Sequence, residues 1–203
     1  MPVLVIPDPS LVVLIGAAGA GKSTFAARHF LASEILSSDT YRALISGDEA
    51  DQRVTRAAFD RLHRDLERRL RAGLLTVVDA TNVERSARHS LLVRSIAAGL
   101  PAVAIVLGLP EAVVLARNAA RAGRVVDEAV VRRHLARLRT TTNGTATGLL
   151  AEGFATAVVI SDELELETIV LVRDDLRRAA GDLRRAAGDA DDRGPGESDP
   201  DRM

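Results

Sequence analysis

The chain has 203 residues, 47% of them hydrophobic and 27% charged, a balance that fits one soluble globular domain with a sizeable core. Its 27 basic and 28 acidic side chains leave a net charge of −1, which excludes a globally basic nucleic-acid-binding surface and confines any anion site to a local patch. With no cysteine, disulfides, thiol nucleophiles and thiolate metal sites are excluded as well.

Residues 1–10 hold a short apolar run with an early Pro-Asp-Pro, too short for a secretory signal. No apolar stretch reaches the ~18 residues of a membrane span, so the sequence reads as cytoplasmic. Residues 11–15 are continuously apolar and predict a strand buried on both faces. A glycine-alanine loop covers 16–21, and 22–30 has a helical pattern. Ile35 and Leu36 predict a short strand that ends at Ser37-Ser38-Asp39. Residues 51–72 predict a long amphipathic helix with Val54, Ala58, Leu62, Leu66 and Leu70 on one stripe, closed by Gly73. A strand over 74–79 and a helix over 83–98 follow, then a strand over 103–107. Pro110 suits the first turn of a helix that runs to 120. A helix over 127–140, a Thr/Gly/Asn loop over 140–148 and a strand over 155–160 complete the alternation. Residues 164–172 fit either a strand or a helix.

Strands alternating with helices predict an α/β fold: a parallel sheet of about five strands with helices on both faces. From Leu176 the unit Leu-Arg-Arg-Ala-Ala-Gly-Asp occurs twice, to Asp189, and 190–203 are rich in Asp, Gly and Pro. The expected division is a domain over 1–173 and a mobile tail over 174–203.

Lys22 is the only lysine in the chain. It stands in Gly16-Ala17-Ala18-Gly19-Ala20-Gly21-Lys22-Ser23, which fits the P-loop pattern throughout, with a predicted strand before it and a helix after. Small residues there expose successive backbone N–H groups, and the helix adds its positive end. The expected cradle for ATP comprises Gly16, Gly19, Gly21, Lys22, Ser23 and Thr24. Lys22 is expected at the β- and γ-phosphates, and Ser23 on Mg2+. A P-loop alone is shared by many NTPases, and a P-loop kinase-type sheet is expected only together with the motifs that follow.

Asp79 ends a strand beside that loop, where open α/β sheets bind ligands. It either holds Mg2+ or its waters, or caps the next helix. Asp39 stands in the same relation to its own strand. It either accepts the proton of an attacking hydroxyl or caps the helix containing Arg42. Arg117 and Arg121 lie one helical turn apart, and Gly123 puts Arg124 on a loop. Arginines on such a flap could close over a triphosphate and stabilise transferring charge, or they form a solvated helix face. His29, His63, His89 and His134 show no ligand spacing and read as structural or surface residues.

The run Val13-Leu-Ile-Gly through Lys22-Ser23-Thr24-Phe25-Ala26, with Ser37-Ser38-Asp39, Val77-Val78-Asp79-Ala80-Thr81-Asn82, Arg117-Asn118 and Glu152-Gly153-Phe154, resembles the kinase module of bacterial polynucleotide kinase-phosphatase. The resemblance spans about Ser10 to about Val172. It implies transfer of the ATP γ-phosphate to a 5′-hydroxyl end of RNA or DNA. By that likeness Asp39 is the general base and Arg42 holds the acceptor's phosphate. Arg117, Arg121 and Arg124 match the phosphate-binding arginines of helix and lid, and Asp79 the metal-associated carboxylate. The family's phosphatase and adenylyltransferase modules do not fit after Val172, so a kinase without 3′-end healing is expected, and the 140–148 loop looks longer than the family's.

Two other readings stand beside it: a P-loop kinase of a small-molecule hydroxyl, and a nucleotide-gated binding module. A polynucleotide acceptor calls for a basic open groove, for which Arg53, Arg56, Arg61, Arg64, Arg68, Arg69 and Arg71, with Arg85 and Arg88, are the candidates.

Overall fold

In the computed structural model, residues 2–48, 51–121, 125–143 and 145–176 are described. Strand β2 (Leu11–Ile15) is buried along its whole length and forms the centre of a five-stranded parallel sheet. β4 (Thr76–Asp79) and β5 (Ala102–Leu107) flank it, with β3 (Ile35–Ser37) and β6 (Thr156–Ile160) at the edges, in the order β3-β4-β2-β5-β6. Side chains alternate across a strand. Val12 and Leu14 therefore enter one core, and Leu11, Val13 and Ile15 the other.

Two apolar faces require cover on both sides. The first face packs Phe25 and Ala26 of α1 (Lys22–His29), Val114 of α5 (Glu111–Ala119), Val131 and Leu135 of α6 (Glu128–Thr142), and Leu166 of α8 (Glu163–Thr168). The second packs Tyr41 of α2 (Ser38–Ser46), the stripe of α3 (Thr55–Arg71), Leu91 and Leu92 of α4 (Arg85–Ala97), and Leu149 of α7 (Thr147–Glu152). Four of the five predicted stripe residues, Ala58, Leu62, Leu66 and Leu70, are buried on α3, while Val54 precedes the helix and is half-buried. Each leucine there contributes about 2 kcal/mol of apolar burial.

The parallel register lines up the carboxyl ends of three strands. Leu14 pairs with Asp79, and Asp79 with Ser37. The P-loop, Asp79 and Asp39 are thus delivered to one rim of the sheet, where a parallel α/β sheet opens its crevice.

The α/β class and the five parallel strands match the expectation from sequence. Several boundaries differ. Residues 1–10 are not merely a lead-in: β1 (Val3–Asp8) pairs in parallel with β7 (Val170–Asp175) in a separate two-stranded sheet. Leu4 and Ile6 face the core while Val3 and Val5 are exposed, an alternation that the prolines around Asp8 obscure in the sequence. The ambiguous segment 164–172 is both things in turn, α8 followed by β7. β7 carries the folded chain past the expected boundary at 173, and 177–203, with most of the heptad repeat, lie outside the described residues. The 140–148 stretch is largely helical, because α6 continues to Thr142 and α7 begins at Thr147. A Cβ at Gly148 would lie 2.4 Å from the Thr141 carbonyl oxygen, so the glycine there permits a close approach of backbones and does not mark an open loop. In the 51–72 segment a 3₁₀ turn over Gln52–Val54 precedes α3.

Candidate active site

The P-loop joins β2 to α1 with its last glycine, Gly21, at the helix N-cap in the left-handed region (φ 93°). Gly19 is also left-handed (φ 85°), and a Cβ there would meet the Val114 carbonyl oxygen at 2.5 Å. Both positions favour glycine for their backbone conformation, and Gly19 needs it for packing as well. Lys22 is buried at 9% exposure, and its Nζ donates to the Ala17 carbonyl oxygen across the loop at 2.9 Å. Burial pushes the ammonium down to about 8, with Asp79 opposing the shift and Arg121 adding to it.

Ser23 Oγ donates to Asp79 Oδ2 at 2.7 Å, which joins the first turn of α1 to the end of β4. The segment after Asp79 is fastened to the P-loop strand. Gly16 N donates to the Thr81 carbonyl oxygen at 3.0 Å, and buried Asn82 (φ 49°) donates to the Leu14 carbonyl oxygen at 2.8 Å. Behind it, fully buried Arg88 donates to the carbonyl oxygens of Asn82 and Val83 and forms a two-point pair with Glu152, at 2.6 and 2.8 Å. Arg88 thus belongs to the scaffold of the site and not to an acceptor groove.

Asp39 occupies the first turn of α2, where a negative charge suits the helix end. It pairs with Arg42, one turn on and only 5% exposed. Tyr41 Oη donates to Asp65 Oδ2 at 2.6 Å and fixes α2 against α3. On the opposite side, Arg117 pairs with Glu163 at 2.6 Å. Asn118, also buried, ties Val126 to the end of α5: its Nδ2 donates to the Val126 carbonyl oxygen at 2.7 Å and its Oδ1 accepts from Val126 N at 3.2 Å. Arg121 stands exposed at the start of the expected flap, and Arg124 lies outside the described residues.

One cavity of about 720 Å³ gathers these groups. Gly19, Gly21, Lys22, Ser23, Thr24, Asp39, Arg42, Asp79, Arg117 and Arg121 all line it. Gly16 is placed beneath the loop and does not. Gln52, Thr55 and Phe59 also line it, as do Val126, Val130 and His134. The arginines of the 51–72 segment do not line the cavity. Arg53 pairs with Asp51, Arg68 with Asp65 and Arg71 with Glu67, while Arg69 donates to Thr76 and the Leu75 carbonyl. His134, which reads from the sequence as structural or surface, lines the cavity, and a lone imidazole in an arginine-rich helix has no motif to announce that.

The donor set fits a nucleoside triphosphate with a divalent cation. Left-handed glycines open a cradle of N–H groups, a buried ammonium is held by a single carbonyl, and a hydroxyl–carboxylate pair stands beside it. Among the described residues there is no cluster of three or more metal-ligating side chains.

This fold and rim define a P-loop kinase-like protein. The AAA-domain family matches residues 11–142, well over half of the chain, and the chain belongs to that family. Among curated proteins there is no match. The solved Pnkp1/Rnl/Hen1 RNA repair complex contains a chain that superposes with a TM-score of 0.57 at 21% identity, over 67% of this chain and 46% of that one. This protein therefore spans under half the length of that relative. A gluconokinase from Sinorhizobium meliloti 1021 gives a TM-score of 0.48 at 19% identity over 94% and 100% of the two chains. A sugar kinase from Janibacter sp. HTCC2649 gives 0.49 at 18% over 75% and 85%. No described helix is long and apolar enough to cross a membrane.

Proposed function

We propose that the protein is an ATP-dependent kinase that transfers the γ-phosphate to a hydroxyl, with the 5′-hydroxyl end of RNA or DNA as acceptor. The observation that carries the reading is the joint occupancy of one cavity by a P-loop lysine, a Ser23–Asp79 pair and an Asp39–Arg42 pair. Lys22 exchanges the Ala17 carbonyl for phosphate oxygens, which return the charge that burial disfavours. A magnesium ion entering with the nucleotide would be held by Ser23 and the Asp79 carboxylate and would offset phosphate charge. Asp39 accepts the proton of the acceptor hydroxyl, and Arg42 holds that carboxylate in place while offering a cation to a phosphate of the acceptor. Arg117 and Arg121, with Arg124 on the flap, meet the charge that develops on the transferred group.

A small-molecule acceptor is the second reading, favoured by one observation: Gln52, Thr55 and Phe59 line the cavity, with the arginines of α3 outside it. The test is transfer of labelled γ-phosphate from ATP to 5′-hydroxyl RNA and DNA oligonucleotides and to a panel of sugars. Label at the oligonucleotide 5′ end is expected. Label on sugars alone would replace the polynucleotide reading by the second, and ATP binding with no transfer to either would leave a nucleotide-gated binding module.

A further inference from the structure

Helix α6 turns one stripe inward: Val131, Leu135 and Leu138 are buried on it, at spacings of three and four residues. His134 shares that face and lines the cavity with Lys22. Its Nδ1 is buried and has no hydrogen-bond partner among the described residues. Other polar groups around the cradle have partners within the protein, Lys22 on Ala17, Ser23 on Asp79 and Arg117 on Glu163. Ser10 Oγ and His29 Nε2 are buried without a partner too but do not line the cavity, so it is the combination with a place on the cavity lining that points to a ligand at His134.

The charges acting on the ring favour an anion as that partner. Lys22 faces it from the P-loop, Arg133 adjoins it on α6, and Arg121 stands on the same cavity wall. Of the carboxylates that line the cavity, Asp39, Asp79 and Glu167, the first pairs with Arg42 and the second accepts from Ser23. Burial first, then Lys22 and Arg133, hold the imidazole below its usual range, so it is neutral in the free protein at neutral pH.

We propose that His134 is a phosphate ligand of the nucleotide site, donating a ring N–H to a phosphoryl oxygen and taking up one proton from solvent as the nucleotide binds. This rests on the kinase reading above. A polyanion beside the ring stabilises its charged form, so the pKa of His134 rises on binding. Affinity then strengthens as pH falls from the bound-state pKa toward the free-state one, and is level outside that interval.

The test is calorimetric titration of the full chain with MgATP between pH 6 and 8.5, in buffers of different ionisation enthalpy, for wild type, His134→Gln and His134→Leu. Titration of the nucleotide and of Lys22 is common to all three and cancels in the comparison. Wild type should take up a proton that His134→Gln does not, and His134→Leu should bind roughly tenfold more weakly, the size of a hydrogen bond to a charged group. Proton uptake and affinity in His134→Gln equal to wild type would overturn the proposal, and that variant decides the matter even if His134→Leu fails to fold. Wild type that binds no ATP would overturn the kinase reading and this proposal together. Wild type that binds normally, with unaltered variants, would overturn this proposal alone.

Discussion

At the scale of single residues, the proposed reaction requires groups that exchange internal partners for substrate. Lys22 is held by one carbonyl and destabilised by burial, so it gains more from phosphate than an exposed lysine would. Lys22→Ala should lower kcat/KM for ATP by at least about 10²-fold with the fold retained by circular dichroism. Lys22→Arg should restore little, because a planar guanidinium does not fit the position of a buried point charge. Ser23→Ala should act in the same direction and in addition leave Asp79 without its hydroxyl donor. Asp39 is the clearer test of proton transfer. Asp39→Asn keeps the shape and a partner for α2 but not the basicity, so turnover should fall by about 10² to 10⁴ while ATP affinity holds. An Asn variant that loses ATP binding would make Asp39 part of the nucleotide site.

At the scale of elements, the second sheet is an attachment with its own clasp. β7 is tied back by Arg173, which donates to both carboxylate oxygens of Glu34 at 2.8 Å. Burial works against the Glu34 carboxylate, but Arg173 and the Leu31 N–H outweigh it, and its pKa lies below the ordinary 4.5. A depressed carboxylate pKa gives stability that is present above the unfolded value and is lost as pH falls through the folded one. Glu34→Gln should therefore cost about 1–2 kcal/mol at pH 7, measured by urea denaturation. The difference from wild type should shrink as pH drops below about 4.5. A gap independent of pH would show that the loss is one of packing and not of charge. Asn118 plays a comparable part on the other side of the site, its buried amide bonding both the N–H and the carbonyl oxygen of Val126.

At the scale of the whole molecule, the rim is supported from behind. Arg88 is fully buried and joins the chain after Asp79 to Glu152 at the end of α7, so residues far apart in sequence brace the segment that carries Asp79. Removing one member of a buried pair strands the other: Arg88→Met should destabilise the fold by about 3–5 kcal/mol. Arg61→Ala, on the exposed side of α3, should stay within about 0.5 kcal/mol. Equal effects in denaturant would refute the distinction between them.

The sequence by itself determined the sheet strands, the P-loop and its lysine. A continuous apolar run, a 3.6-residue stripe and a glycine pattern are local signals that survive in one dimension. Lys22, Ser23, Asp39 and Asp79 were legible for that reason, each standing at the end of a predicted strand or the start of a helix. What only the tertiary structure decided depends on distance between segments. The parallel register set Ser37, Leu14 and Asp79 side by side, and the pairing of β1 with β7 made a strand of residues that read as a lead-in. Arginine has one chemistry and many surroundings. Arg88 is enclosed by Glu152 and two carbonyls, Arg42 reaches the cavity, and the arginines of α3 point elsewhere, a sorting made by packing and charge pairing that no spacing along the chain encodes.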